Sequence, residues 1–298
     1  MVAIARNGHV YGARASFASL DRTGGILLPA LIGITRASTF SGFCQRHDAS
    51  AFAPLEANVF GPTREQAFLL AYRALLRELY MKTRHLEALP LFRDTDKGLP
   101  VPDQLAIQSL VSDMKVGVEK ALADLHRHKR SFDGDFLAGD HSGIRYVAFD
   151  LDRTPDIVCS GVFQPTESFT GHQIQDLGDL ETELDFASFS LMANSGRGAA
   201  VFAWRSDSDR AASQLVDSLL TLPRPDMPNA LVRFTFSTLE NTFWSPLWWE
   251  GLSDDSKRAA IERINYGVSP VSRLRPRGLA DDGQRFVDWV VVGIRSER

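Results

Sequence analysis

The chain has 298 residues, of which 44% are hydrophobic and 23% charged, and its formal net charge at pH 7 is -4. This composition is typical of a globular protein with one large domain or two ordinary ones, and the mild negative charge excludes a global field that would attract nucleic acid or anionic lipid. Only 2 cysteines occur, which excludes a disulfide-rich scaffold and favours the reducing cytoplasm.

The N-terminal segment differs from a secretory signal, because Arg6, Asn7 and His9 stand where such a signal has an unbroken apolar core. No apolar stretch reaches the roughly 18 residues that a membrane-spanning helix needs. We therefore predict a cytoplasmic protein that is not exported by this route and has no membrane partner.

Residues 1–60 contain frequent glycine and proline and one sustained apolar run, 26–34, which predicts irregular structure with short strands. A long helix is predicted over 63–84. Its start is marked by Thr63 and Gln66, which form a capping-box pattern ahead of apolar residues at helical spacing.

A second helix is predicted from Asp103 to about residue 130, after the prolines at 100 and 102. Its apolar residues form one stripe, which comprises Leu110, Val111, Met114, Val118, Leu122 and Leu125. The segment 61–130 is therefore predicted to be an antiparallel helical pair.

After Phe132 the pattern changes to short apolar runs bounded by turn residues. The predicted strands are 144–151, 157–163, 186–192, 199–204, 231–237 and 286–294. Several connections are too short for a crossover helix, so the strands should pair mainly in antiparallel fashion. Two further helices are predicted, at 209–222 and at 253–265 behind the N-cap residue Ser253.

The whole pattern predicts an α+β fold in which an antiparallel helix pair is followed by a mainly antiparallel sheet with interspersed helices. The chain divides into an irregular N-terminal segment, 1–60, a helical pair, 61–130, and a sheet region, 131–298. Residues 131–143 are the predicted linker, and the alternative is that the helices pack on the sheet as one domain.

Cys44 and His47 stand at the spacing of metal ligands in a turn-like setting. Thiolate and imidazole are zinc ligands, and two intervening residues let both side chains converge on one ion. A structural zinc ion takes four ligands, so this pair predicts half of a zinc site. The alternative is a structural cysteine beside a turn histidine.

Three stretches near the N-terminus, at 5–11, 43–48 and 68–75, resemble a group of uncharacterised bacterial proteins, as do Glu240-Asn241 and Trp248-Trp249. Those proteins carry an additional zinc-finger or HNH-like stretch before the point where this chain begins. The resemblance implies that Cys44 and His47 match the second ligand pair of that stretch, whose first pair is missing here.

The segment 149–154, Phe-Asp-Leu-Asp-Arg-Thr, is similar to the Asp-x-Asp-x-Thr signature of haloacid-dehalogenase-like phosphatases. The resemblance implies that Asp150 attacks phosphorus and that Asp152 acts as acid and base beside Mg²⁺. Arg153 stands where that family usually has glycine, and a predicted strand rather than a helix follows. The alternative is a hairpin end with solvated acids.

Two groups of side chains suggest a binding surface. The first is basic: Arg73 and Arg77 lie one turn apart on the first helix, and Arg275 belongs to a basic loop. Together they predict phosphate contacts, and solvated charge at helix ends is the alternative. The second comprises Trp248 and Trp249, which predict either core packing of a short helix or a platform for a ligand or a base.

The function classes that remain are a binding or regulatory protein, an enzyme and a structural scaffold. No serine nucleophile elbow, phosphate-binding glycine loop or His-Glu-x-x-His motif occurs in the sequence. We therefore predict a cytoplasmic macromolecule-binding or regulatory protein whose partner is nucleic acid or protein, with zinc as its only candidate cofactor. The alternative is a metal-dependent hydrolase, phosphatase- or nuclease-like, that uses Asp150 and Asp152 or a zinc site at Cys44 and His47.

Overall fold

The structure, a computed structural model, describes residues 1–13, 22–37, 40, 42–56, 60–178, 182–266 and 278–298. The chain folds into two compact units. The sheet unit comprises Met1–Thr39, Phe52–Ala71 and Ser142–Arg298, and the hairpin unit comprises Phe40–Ala51 and Tyr72–His141.

Helices and strands both contribute to the fold, and the predicted α+β class is confirmed. The strands are β1 (His9–Ala13), β2 (Pro29–Gly33), β3 (Ile144–Leu151), β4 (Ile157–Phe163), β5 (Ala187–Asn194), β6 (Arg197–Arg205), β7 (Thr242–Trp244) and β8 (Val291–Glu297). The α-helices of the described residues are α1 (Gln45–Ala51), α2 (Ala53–Glu56), α3 (Arg64–Arg93), α4 (Val101–Ala138), α5 (Asp209–Leu220), α6 (Met227–Thr238), α7 (Pro246–Gly251) and α8 (Asp254–Ile264).

The strands form one 8-stranded sheet in the order β2-β1-β7-β4-β5-β6-β3-β8. Every neighbouring pair is antiparallel. Short connections such as the turn between β5 and β6 allow only this arrangement, because a parallel neighbour needs a long crossover. The predicted strands 144–151 and 157–163 are confirmed to the residue.

The main core lies between one face of the sheet and helices α5 to α8. Four phenylalanines form its centre. Phe234 of α6 packs edge-on against Phe163 at 4.9 Å and Phe189 at 5.2 Å between ring centroids, and Phe202 lies 5.3 Å from it. Such edge-to-face pairs add about 0.5–1.5 kcal/mol to the burial of their area.

Helix α6 corrects the prediction of a strand at 231–237. That segment alternates apolar and polar residues like a strand, yet residues Met227 to Phe236 are all buried, including Asn229 and Arg233. A helix buried on every side has no amphipathic stripe for a sequence pattern to reveal. The predicted strand 286–294 is likewise displaced toward the C-terminus, because only its end belongs to β8.

Helices α3 and α4 run antiparallel within the hairpin unit. Tyr72 stacks on Phe132 with ring centroids 5.8 Å apart, and near the connection Gln108 donates to Asp96. Residues ahead of the connection thus pair with residues behind it in reverse order, as in an antiparallel hairpin.

The buried stripe of α4 repeats at heptad spacing and consists of Val111, Val118, Leu125 and Phe132. Leu110, which was predicted to belong to this stripe, is instead exposed. The helix also extends into the predicted linker 131–143 as far as Ala138 and is followed by Gly139, which has a φ of +64°. Glycine adopts this left-handed conformation without a steric penalty and commonly ends helices.

The start of α3 follows the predicted capping box. The Thr63 hydroxyl oxygen accepts a hydrogen bond from the Gln66 backbone N–H at 3.2 Å. The Gln66 side chain accepts from Gly61 N–H rather than from Thr63, so the reciprocal half of the box differs. The helix continues past the predicted end at residue 84 and includes Pro90 near its C-terminus.

Candidate functional site

Cys44 and His47 lie side by side at the start of α1. The Cys44 Sγ atom is 3.2 Å from His47 Nδ1, and the Cys44 carbonyl accepts the Asp48 backbone N–H at 2.9 Å. Cys44 and His47 are exposed. This segment lies beside an early part of α3, because Asp48 pairs with Arg73 at 3.6 Å. Among the described residues no group of three or more His, Cys, Asp or Glu side chains is arranged to hold a metal ion.

Asp150, in β3, contacts strand β8, and Asp152, just after β3, contacts the residue that precedes β8. Asp150 accepts a hydrogen bond from Arg295 Nη2 at 2.5 Å, and Asp152 accepts the Val290 backbone N–H at 2.8 Å. The chain after Thr154 enters strand β4 and not the helix that the phosphatase signature requires. The environment therefore gives both carboxylates structural partners.

Two of the three predicted basic residues lie in the described part of the chain. Arg73 pairs with Asp48, Arg77 is partly buried one turn further along α3, and Arg275 lies outside the described part of the chain. The second helix was predicted to end at about residue 130. Helix α4 instead continues to Ala138, so the basic residues near position 130 lie inside it, where Arg127 pairs with Asp124 and Lys129 with Asp133.

Trp249 lies in the core, and Trp248 lies at the edge of the core. Trp249 is 8% exposed and packs against Trp244 with ring centroids 5.6 Å apart. Trp248 stacks on Phe236 at 6.2 Å and donates its indole N–H to the Phe286 carbonyl at 3.0 Å. Of the two predicted roles, this geometry supports core packing of the short helix α7.

A buried ion-pair network was missed by the sequence reasoning. Arg233 of α6 is 1% exposed, and its Nη1 donates to Asp281 Oδ1 at 3.1 Å. Arg285 donates to both oxygens of Asp281, at 3.0 and 3.1 Å, and Arg263 of α8 pairs with Asp282. These contacts fix the segment 278–287 to the two helices. The only available signal was a cluster of arginines and aspartates, which is common on any protein surface.

An open cleft of about 770 Å³ lies beside the loop between β4 and β5. Its lining includes Glu167, Gln175, Asp176 and Gly278. Gln175 is buried, and its amide is used within the loop, since it donates to Pro165 O at 3.0 Å and accepts from Asp185 N at 2.7 Å. The Gln175 side chain therefore stabilises the conformation of this loop, and its amide is not free to bind a ligand in the cleft.

Several exposed apolar side chains of the hairpin unit lie around the connection between α3 and α4. We define the hairpin tip as Leu91, Leu99, Val101 and Leu105, which are 65%, 41%, 67% and 66% exposed. The connection itself is ordered by hydrogen bonds, because Gln104 donates to the Leu99 carbonyl at 2.7 Å. Ordered and exposed apolar side chains of this kind are typical of protein interaction sites.

The charges of the hairpin unit are balanced and locally paired. Its sequence holds basic and acidic side chains in equal number. The ion pairs along α3, α4 and their connection include Glu78–Lys82, Arg84–Glu87, Asp94–Lys97, Lys115–Glu119, Asp124–Arg127 and Lys129–Asp133. A cation whose neighbour is a carboxylate offers a phosphate little net attraction.

Comparisons of the chain with protein-family models, with curated proteins and with solved structures gave no match. Within the described ranges, no helix is both long enough and apolar enough for a membrane crossing. The cytoplasmic location and the resemblance to uncharacterised bacterial proteins stay predictions.

Proposed function

We propose that this protein acts by binding another protein, and that the hairpin tip makes the contact. The observation that carries this proposal is the exposure of Leu91, Leu99, Val101 and Leu105 on an ordered connection between two long helices. Helical hairpins present such side chains at little entropic cost, because the backbone is already fixed before the partner arrives.

The balanced charge of the hairpin unit favours a protein partner over nucleic acid. Nucleic-acid binding depends on cations that are free to replace the counterions of the phosphates. Arg73, one of the predicted basic residues, already lies within 3.6 Å of Asp48. An apolar tip gains binding energy mainly by removing its own surface from water.

The expected energy is large enough to measure. The tip residues are 41–67% exposed, so the complete burial of each contributes about 1–2 kcal/mol. Replacing Val101 and Leu105 together by serine should then cost about 2–4 kcal/mol of binding energy. A loss of 2 kcal/mol weakens the dissociation constant by about 30-fold.

The test compares three full-length proteins in quantitative affinity purification, followed by calorimetry with each partner identified. The tip variant is Val101→Ser/Leu105→Ser. Its matched control is Val116→Ser/Leu137→Ser, which changes the same residue types on the same helix at sites that are 62% and 84% exposed. We expect a protein partner that the wild type and the control bind equally and the tip variant binds at least about 30-fold more weakly.

Three results would contradict the proposal. The first is a partner that binds all three proteins alike. The second is binding to DNA or RNA that weakens steeply with salt concentration. The third is a hydrolytic activity of the purified protein that is lost on Asp150→Asn in a correctly folded variant, which would favour the metal-dependent hydrolase.

A further inference from the structure

The Cys44–His47 pair presents two zinc-type donor atoms on one exposed side of α1. The Sγ and Nδ1 atoms are 3.2 Å apart, and both residues are exposed. The neighbouring Phe43 anchors this segment to α3, because its ring packs against Tyr72 with centroids 6.3 Å apart. The two donor atoms therefore lie on a segment whose position is set by the packing of Phe43.

The spacing of the two atoms is close to what a bound zinc ion requires. With Zn–S near 2.3 Å and Zn–N near 2.0–2.1 Å, a tetrahedral angle separates the two donors by about 3.5 Å. The observed separation is shorter by only about 0.3 Å, which a small rotation of an exposed side chain supplies. Either ring nitrogen of histidine serves as a zinc ligand, so Nδ1 is suitable.

The described residues of one copy place no further nitrogen or sulfur donor at this pair. Within the described part of the chain, no cluster of three or more possible metal ligands exists. The residues outside that part contain neither cysteine nor histidine in their sequence. The other cysteine, Cys159, is buried in strand β4, where its sulfur contacts the Thr235 hydroxyl at 3.7 Å.

We infer that a Zn²⁺ ion links two copies of this chain, with Cys44 and His47 of each copy as its four ligands. A twofold axis through the ion repeats the donor pair and produces a complete Cys2His2 tetrahedron. The two thiolates balance the charge of the ion. Binding releases the thiol protons, and no redox step is involved.

The experiment uses the full-length protein, stripped of metal by a chelator, with Zn²⁺ alone as the probe. We expect light scattering after size exclusion to give the monomer mass of 33.0 kDa without metal and a dimer once zinc is added. The zinc content of the dimer should be one ion for each pair of chains, and EDTA should return the monomer. Co²⁺ in place of Zn²⁺ should give the thiolate charge-transfer band of a tetrahedral site.

Three variants test the assignment. Cys44→Ser and His47→Asn should each remain monomeric at zinc concentrations that convert the wild type, whereas Cys159→Ser should dimerise like the wild type. Because Cys44 and His47 are exposed, both of their variants should unfold at the wild-type temperature in EDTA, and this measurement excludes misfolding as the cause.

The other outcomes overturn the inference. One zinc ion per chain in a monomer would mean that the pair is completed without a second copy. A dimer that forms in EDTA, or a zinc-dependent dimer that Cys44→Ser leaves intact, would place the contact elsewhere. The absence of zinc binding at micromolar concentration would show that the pair is no metal site.

Discussion

Replacement of Asp281 by asparagine tests whether the buried network around Arg233 stabilises the sheet unit. The substitution keeps the shape of the side chain but removes the carboxylate that pairs with Arg233, which is 1% exposed. Arg233 then keeps a long hydrogen bond from its Nε to the Leu279 carbonyl at 3.4 Å, together with the weaker attraction of Asp282. Removing one partner of a fully buried ion pair costs about 3–5 kcal/mol, because the other charge stays buried and unpaired.

The expected cost is lower here, because the Asp281 side chain is 43% exposed and water screens the pair. We expect Asp281→Asn to lower the free energy of unfolding by about 1–3 kcal/mol. Urea unfolding followed by tryptophan fluorescence measures this quantity, and the slope with urea concentration should stay unchanged. The matched control is Asp226→Asn, since Asp226 pairs with the exposed Arg285 at 3.4 Å and its replacement should cost about 0–1 kcal/mol.

A double-mutant cycle measures the interaction energy between Arg233 and Asp281 separately from their contacts with other residues. Arg233→Met removes the buried charge, while Asp281 keeps both hydrogen bonds from Arg285. We therefore expect Arg233→Met to cost less than Asp281→Asn, and Asp281→Asn to cost less in the Arg233→Met background than alone. Equal costs for Asp281→Asn and Asp226→Asn, or additive costs in the cycle, would refute this account of the network.

Three further predictions follow from burial and charge. The hydrogen bonds from Arg285 hold the pKa of Asp281 at about 2, against 3.8 in the unfolded chain, so this carboxylate contributes stability above pH 3.8 that is lost as the pH falls toward 2. Urea unfolding between pH 2 and 4 should show a smaller pH dependence in Asp281→Asn than in the wild type, and an equal dependence would contradict the assignment. Burial raises the pKa of the Cys159 thiol to about 12, whereas Cys44 is exposed. At pH 8 a thiol reagent should therefore label Cys44 quickly and Cys159 only after unfolding. Rapid labelling of both cysteines would contradict the buried position of Cys159. Phe234→Ala should cost about 3–5 kcal/mol in urea unfolding, and a cost below about 1 kcal/mol would show that the aromatic cluster is loosely packed.

Local sequence patterns correctly predicted the helices and strands whose ends are marked by a capping or turn residue close by in the sequence. Thr63 caps α3, Ser253 caps α8 by accepting the Ser256 N–H at 3.2 Å, and the strand 144–151 is bounded by turn residues that end it on both sides. Cys44 and His47 are neighbours for the same reason, because their spacing brings them onto one side of a helical turn.

Contacts between distant parts of the chain could not be predicted in this way. Arg233 and Asp281 are 48 residues apart, and Trp248 and its acceptor Phe286 are 38 residues apart. Only the packed sheet unit brings them together. The strand predicted at 231–237 was wrong for a related reason: neighbouring elements surround α6 completely, and the buried Arg233 interrupts the helical pattern that would have revealed it.

The environments of the titratable groups also bear on the choice between an enzyme and a binding protein. Shifted pKa values are typical of catalytic groups in a cleft, where burial and a charged neighbour serve the reaction. In this protein the strongest shifts have structural causes. Burial, and then the hydrogen bond to Asp133, raises the pKa of Tyr72 inside the hairpin unit, while Cys159 is buried in the sheet and Asp281 is held by Arg285. Each of these groups takes part in contacts within one unit, and none of the three lines the cleft beside the loop between β4 and β5, so their shifted pKa values do not point to a reaction there.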